Sequence, residues 1–249
     1  MFRISAISYL NSLPFAWCLE HSDVMGEIEL SYDIPSQCAD KLLVNKADIG
    51  LIPIVETLRM REHYIISDLC IGADNAVRTV VLASETSLDN ISTVYLDGHS
   101  RTSVALAKIL AKHYWKITPE WVHFSGDITT FPRTGKSAAV IIGDKTFGLQ
   151  HPFIYDLSVE WRKFTGLPFV FACWVANKPI DEGFVSRFNM TLSSLFHNMD
   201  AIVAHYRDRA PAGVDLLGYW TNNISYPLTP DKREGLELFL KYAGEMVNG

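Results

Sequence analysis

Two clusters of small polar side chains follow predicted strands in this chain of 249 residues. The first lies in the run SYLNSLPF at 8–15, directly after a predicted strand at 2–7, and contains Asn11 and Ser12. The second lies in LDGHSRTS at 96–103, after another predicted strand. Amides and hydroxyls at strand ends can hold an anionic ligand, but they are poor bases at neutral pH. The sequence therefore indicates a binding site with little acid–base capacity.

The second cluster opens a predicted helix over about 101–114. Ser100, Thr102 and Ser103 place three hydroxyls beside the first backbone N–H groups of that helix, where the helix dipole favours an anion. Arg101 could add a bidentate contact to a carboxylate. The alternative is a well-capped helix whose hydroxyls serve only its own backbone. Both interpretations remain open from the residues alone.

Three further candidates lie in β-prone runs. Thr79 belongs to VRTVVLA at 77–83, while Gly143 and Asp144 end a predicted strand at 138–142. A glycine at a strand end lets the backbone approach a ligand closely. Asp144 either contributes to the site or caps the helix that follows. We count all three as candidate substrate-binding residues.

Composition and motifs exclude several classes of function. The formal charge of −6, without any basic run, argues against a nucleic-acid partner, and no stretch reaches the roughly 18 apolar residues of a membrane helix. The eight histidines show neither HxxxH nor HExxH spacing, and His99 alone lies beside a polar cluster. GxSxG and GxGxxG are absent, and RTGKS lacks the glycine that a phosphate loop needs at position 130. We expect no metal and no cofactor.

The cysteines and the first residues bear on the compartment. Cys18, Cys38, Cys70 and Cys173 are widely spaced in apolar surroundings, with no CxxC, which predicts buried free thiols in a reducing environment. Serine, asparagine and proline interrupt the first apolar run, so it does not have the pattern of a secretory signal. Together these features predict a cytoplasmic protein.

Apolar runs alternate with helical patterns along the chain, which predicts an α/β fold. We expect lobe I at 1–83 plus 172–249 and an inserted lobe II at 84–171. The β-prone runs 77–83 and 170–175 would pass between these lobes. Ligands of such folds bind in the cleft between the lobes. The helical pattern of the C-terminal third could support a homodimer.

Several blocks taken together resemble a known family. ISYLNSLPF, LDGHSRTSVALAKIL, VIIGDKTF and TGLPFVFACWVAN, within residues 7–177, are similar in this order to the chorismate dehydratases of the futalosine route to menaquinone. The resemblance implies a two-lobed fold like the type II periplasmic binding proteins, a cytoplasmic location and a hydro-lyase. The chain departs from the family at Asn75, where a small, glycine-containing turn is expected.

The resemblance also implies a reaction. Chorismate carries two carboxylates, and its dehydration to 3-[(1-carboxyvinyl)oxy]benzoate removes the ring C3 proton and the C4 hydroxyl. Because the candidate residues are poor bases, our hypothesis is that the enolpyruvyl carboxylate of the substrate takes the proton, while the protein orients it and excludes water. Asn11 would hold the departing hydroxyl or that carboxylate.

Three alternatives remain. Within the same enzyme, Asp144 or His99 could act as the general base. A second alternative is a binding protein that captures a small carboxylate without turnover, which folds of this kind do more often than catalysis. The third is the sister dihydroxynaphthoate synthase of the same pathway, which would use a cyclised futalosine and need a catalytic histidine.

Overall fold

The computed structural model describes residues 1–98 and 101–247, and the strands in these ranges form two separate sheets. From edge to edge, the first sheet consists of β11 (Ser225–Pro227), β4 (Tyr64–Ala73), β10 (Phe169–Ala176), β3 (Ile49–Pro53), β1 (Phe2–Ile7) and β2 (Ile28–Asp33). Strands β2 and β3 pair parallel to β1, whereas β10 runs antiparallel to β3 and β4. The carboxyl end of β1 therefore lies inside a mixed sheet, next to two other strands.

The second sheet consists of β7 (Glu120–His123), β6 (Thr93–Leu96), β8 (Ser137–Ile142), β5 (Val80–Ser84) and β9 (Phe153–Asp156). Strand β6 is parallel to β7 and β8, and β5 is antiparallel to β8 and β9. Both sheets are mixed and carry helices, so the predicted α/β class is confirmed.

Eight α-helices occur in the described ranges: α1 (Leu13–Glu20), α2 (Pro35–Leu43), α3 (Arg101–Leu110), α4 (Leu157–Thr165), α5 (Glu182–Ser193), α6 (Leu195–Tyr206), the single turn α7 (Leu216–Gly218) and α8 (Pro230–Val247). Two π-helical turns, Ala111–Trp115 and Tyr219–Asn223, extend α3 and α7. In this part of the chain, none of the helices combines the length and apolar character needed to cross a bilayer.

Burial follows the strand pattern. All eight residues of β10 are buried, as expected for an apolar strand in the middle of a covered sheet. In β5, Val80 and Leu82 pack into the main core, whereas Val81 and Ala83 pack into a smaller cluster on the other face of the second sheet. This alternation is the two-residue period of a strand. The main core contains residues of both sheets, so the two halves pack against each other directly.

The strands within the β-prone runs 77–83 and 170–175 do not themselves pass from one sheet to the other, which differs from the prediction. Strand β5 lies wholly in the second sheet and β10 wholly in the first, and the chain crosses at 74–79 and again after β9. The first crossing cannot stay extended, because Arg78 has a left-handed backbone with φ of 64°. Its N–H donates to Asp156 at 2.7 Å. The left-handed residue is thus Arg78 and not Asn75, which is exposed.

The division into lobe I and an inserted lobe II stays a prediction. Sheet membership favours limits a few residues away from 83 and 171, since Val80 already pairs in the second sheet and Phe169 in the first. The four cysteines are free and buried, as predicted. Burial raises the pKa of each of their thiols.

Candidate active site

A small cavity lies between the two sheets, beside the polar residues that follow β1. Its polar lining comes from Tyr9 and Asn11 after β1, Thr79 before β5, Gly143 after β8 and Ser103 in α3. The remaining described lining is apolar, so the cavity is lined by hydroxyl, amide and hydrocarbon groups without a carboxylate, histidine or lysine. Its volume is about 40 Å³, which holds only a water molecule or two.

Asn11 lines this cavity and carries a hydrogen-bond acceptor that the described residues leave unused. The residue belongs to a 3₁₀ turn, Leu10–Ser12, between β1 and α1. Its Oδ1 atom is buried, and within the described residues it has no hydrogen-bond partner. A buried polar atom without a partner is rare in folded proteins, because it loses its hydration without compensation. An amide oxygen placed in this way fits a donor supplied by a ligand.

Ser12 acts on the turn itself. Its hydroxyl donates to the backbone oxygens of Ile7 at 2.6 Å and Tyr9 at 2.9 Å, and the side chain is buried. Ser12 also precedes the first residue of α1, with Pro14 in the first turn of that helix. These contacts place Ser12 behind the cavity wall, where it fixes the path of the chain that carries Asn11.

Thr79 and Gly143 form the opposite wall. Gly143 donates its N–H to the carbonyl oxygen of Thr79 at 2.9 Å. Gly143 has φ of 74°, and a Cβ there would lie 3.1 Å from the ring of Tyr9. The glycine thus permits a close approach between the backbone and an aromatic ring of the first half of the site. The Thr79 hydroxyl lies 2.8 Å from the Tyr219 hydroxyl.

Asp144 is tied to the other side of the cavity. Its carboxylate accepts from the backbone N–H of Leu10, at 3.0 Å to Oδ1 and 3.3 Å to Oδ2. Burial raises the pKa of this carboxyl, although the Leu10 N–H opposes the shift. The residue begins a 3₁₀ turn, Asp144–Thr146, but its side chain serves the turn that carries Asn11 and not its own.

The start of α3 contributes buried hydroxyls. Ser103 lines the cavity, whereas Thr102 accepts from the backbone N–H of Val55 at 3.3 Å. Ser100 and His99, both candidates from the sequence, lie outside the described residues.

Helices α1, α2 and α3 all begin around the cavity, since Asn11, Pro35 and Ser103 line it. Three positive dipole ends around one cavity favour a negatively charged ligand.

Arg101 makes its bidentate contact within the protein. Its Nη1 and Nη2 atoms bond the two carboxylate oxygens of Asp40 at 2.9 and 3.3 Å, and Nη1 also bonds Glu56 at 2.9 Å. Glu56 is 1% exposed and accepts from Arg59 as well, at 2.7 Å. The guanidinium therefore joins α3 to α2 and to the turn after β3, at a distance from the cavity lining.

Three residues that the sequence analysis missed support the walls of the cavity from outside. Tyr219 and Tyr226 hydrogen-bond to Thr79 and Asn11 of the polar lining, and Trp220 bonds Leu10, the neighbour of Asn11. The aromatic character of these three residues within an otherwise helical region was the available signal. Within 1–98 and 101–247, no three His, Cys, Asp or Glu side chains converge as metal ligands would.

The two sheets and the cavity between them define a class of protein. A structure from Archaeoglobus fulgidus is similar over 100% of this chain and 98% of its own, with a TM-score of 0.76 at 16% identity. A Candida albicans gene product, described as having the generic periplasmic binding protein fold, gives 0.65 at 10% identity over 98% and 90%. The periplasmic aliphatic sulphonate binding protein of Escherichia coli gives 0.62 at 14% over 99% and 86%. The chain has a periplasmic-binding-protein-like fold.

The family is narrower than the fold. The sequence pattern of a family described as Menaquinone biosynthesis matches residues 2–245, and the chain belongs to this family. A chorismate dehydratase of Campylobacter jejuni is 26% identical over an alignment of 245 residues that covers 94% of this chain and 94% of its own. The resemblance drawn from the sequence blocks is thereby confirmed.

Proposed function

We propose that this protein is a chorismate dehydratase, which eliminates water from chorismate to give 3-[(1-carboxyvinyl)oxy]benzoate. The observation that carries the proposal is Asn11, which lines a cavity around which three helices begin and whose buried Oδ1 has no hydrogen-bond partner within the described residues. Membership of the menaquinone biosynthesis family and the similarity to a chorismate dehydratase support the choice of substrate.

The helix N-termini favour the two carboxylates of chorismate, and the apolar lining suits its ring. In the proposed step, the enolpyruvyl carboxylate of the substrate removes the ring C3 proton. The electrons of that C–H bond form the C3–C4 double bond, and the C4–O bond breaks. The departing hydroxide takes the proton back from the carboxyl group and leaves as water.

Asn11 has a defined role in this scheme. Its Oδ1 accepts from the C4 hydroxyl and holds the C–O bond in line for elimination, while the apolar walls exclude water. Among the described residues, which do not include His99, a side chain acting as the base has less support, because the described cavity lining contains no Asp, Glu, His or Lys. Asp144 lies close by, but its carboxylate is bound to the Leu10 N–H.

The size of the cavity adds a requirement. Pockets that hold drug-sized ligands measure roughly 300 Å³ or more, whereas this cavity measures about 40 Å³. We therefore propose that the cleft between the two sheets widens to admit chorismate and closes around it. Such a movement would break contacts that join the halves, among them Arg101 to Asp40 and Asp144 to Leu10. A cytoplasmic location and a homodimer remain predictions.

The direct test is to mix the purified protein with chorismate and follow the ultraviolet band of its diene. We expect catalytic loss of that band, and a product with the mass of chorismate less one water and an aromatic proton spectrum. A protein-free sample controls for spontaneous rearrangement of chorismate. Binding of chorismate without turnover would instead establish a binding protein. Consumption of a cyclised futalosine, with chorismate ignored, would establish the sister synthase.

A further inference from the structure

Three buried aromatic residues of the C-terminal third contact the walls of the cavity from outside. Tyr219 and Trp220 begin the π-helical turn Tyr219–Asn223, and Tyr226 lies in β11 at the edge of the first sheet. Each side chain is at most 2% exposed. None of the three lines the cavity itself. Their polar atoms nevertheless hydrogen-bond to Thr79 and Asn11, which line the cavity, and to Leu10, which is adjacent to Asn11.

Two of these aromatic residues hold the turn that carries Asn11. The indole N–H of Trp220 donates to the carbonyl oxygen of Leu10 at 2.8 Å. The hydroxyl of Tyr226 donates to the carbonyl oxygen of Asn11 at 3.0 Å. Hydrogen bonds to two successive carbonyls fix the orientation of both peptide planes. They therefore fix the direction in which the Asn11 side chain leaves the backbone.

The third aromatic residue reaches the opposite wall. The hydroxyl of Tyr219 lies 2.8 Å from that of Thr79, and both groups are buried. Because Tyr219 and Trp220 are adjacent in the chain, one short turn contacts both walls of the cavity. The distance between Asn11 and Thr79 is thus set partly by a segment that lies outside the cavity.

The segment is itself firmly held. Lys232 is fully buried, and its ammonium group donates to the carbonyl oxygens of Ser225 and Pro227 at 2.7 Å each, on either side of Tyr226. The Tyr226 ring packs edge-on against Phe15 of α1, with ring centroids 5.1 Å apart. Because the backbone on both sides of Tyr226 is held and its ring is packed, the side chain loses little conformational entropy when its hydroxyl makes one more hydrogen bond. Tyr226 is therefore well suited to hold another group in place.

We propose that Tyr219, Trp220 and Tyr226 are positioning residues for the active site: Trp220 and Tyr226 orient Asn11, and Tyr219 orients Thr79. The inference rests on the proposed function of the cavity, since it is turnover that the positioning serves. It gives the C-terminal segment a role in catalysis without contact between that segment and the substrate.

The test uses Tyr226→Phe in the full chain, which removes one hydroxyl and leaves the ring in place. Tyr206→Phe is the matched control, because Tyr206 is also buried and, within the described residues, its hydroxyl contacts neither Leu10 nor Asn11. We expect Tyr226→Phe to lower kcat for chorismate by about 10-fold, with little change in KM, since small misplacements of a reacting geometry are costly. Tyr206→Phe should leave kcat within about two-fold of the wild type.

A second readout does not depend on turnover. The side-chain amide signal of Asn11 in a ¹⁵N NMR spectrum is identified by its loss in Asn11→Ala. Tyr226→Phe should shift this signal, and Tyr206→Phe should not. The inference is overturned if Tyr226→Phe leaves both the signal and kcat as the control does. If the wild type does not turn over chorismate, the proposed function fails, and the NMR comparison still decides whether Tyr226 positions Asn11.

Discussion

The carboxylate of Asp144 accepts a hydrogen bond from the backbone N–H of Leu10 at 3.0 Å, across a separation of 134 residues. The contact joins the end of β8 in the second sheet to the turn after β1 in the first. The carbonyl oxygen of Leu10 in turn accepts a hydrogen bond from Trp220, so both backbone groups of this residue are held. Asp144 therefore supports the site by accepting a hydrogen bond from its backbone, a role that differs from that of a general base.

Replacing Asp144 with asparagine distinguishes these two roles. Asparagine keeps an oxygen for the Leu10 N–H, so we expect kcat for chorismate to fall by less than about 5-fold, whereas loss of a general base costs about 100-fold or more. Asp144→Ala, which removes the acceptor, should lower kcat further than Asp144→Asn. A loss of two orders of magnitude in Asp144→Asn, with binding intact, would make Asp144 the base.

The raised pKa of Asp144 also predicts how stability depends on pH. Burial raises the pKa of this carboxyl in the folded state, so between the ordinary aspartate value and the raised one the folded state binds more protons than the unfolded state. The free energy of unfolding should therefore decrease as the pH rises through this window. Denaturant titrations at several pH values should show a smaller decrease for Asp144→Asn. An equal slope in both proteins would contradict the assignment.

Arg101 should matter for stability more than for substrate affinity. Its guanidinium binds Asp40 and Glu56, and the latter is buried. We expect Arg101→Ala to lower the free energy of unfolding by about 1–2 kcal/mol, because the guanidinium is partly exposed and Arg59 still pairs with Glu56. The loss should be smaller in a Glu56→Gln background. An unchanged stability with a large rise in KM would show instead that Arg101 binds a substrate carboxylate.

Gly143 can be tested against a glycine that has a similar positive φ. Gly143 and Gly135 have φ of 74° and 77°, but only at Gly143 would a Cβ meet another group, the Tyr9 ring. Each alanine variant should cost about 1–3 kcal/mol for its positive φ. Gly143→Ala should cost more and should also lower kcat, since Tyr9 and Asn11 share one turn. Equal losses of stability, with unchanged kcat in both, would contradict this close approach.

The sequence is sufficient to predict features that depend on local patterns. The strand before Asn11, the strand that ends at Gly143 and the continuous apolar run of β10 all follow from the alternation or clustering of apolar residues. The helix at α3 is predicted by its polar start and helical spacing. Strand β4 was not predicted, because Ser67 and Asp68 interrupt its apolar pattern.

The partners of the site residues could not be predicted in the same way. The substrate contact predicted for Arg101 stays a prediction, whereas its bond to Asp40, 61 residues away in sequence, could not be predicted, because only the packing of α2 against the rest of the site brings Asp40 within reach. Tyr226 and Asn11 are 215 residues apart. Residue type indicates that a buried guanidinium or phenol will form hydrogen bonds. Only the tertiary fold determines whether the hydrogen-bond partner is a ligand or another part of the chain.

The most direct test of the account is the turnover of chorismate by Asn11→Ala. Asn75→Ala is a suitable control, since Asn75 is an exposed asparagine at the crossing between the sheets. We predict that Asn11→Ala lowers kcat by about 100-fold, as expected for the loss of a group that orients the reacting bond, while the aromatic product binds with an affinity within about 10-fold of the wild type. Full kcat in Asn11→Ala would contradict the account.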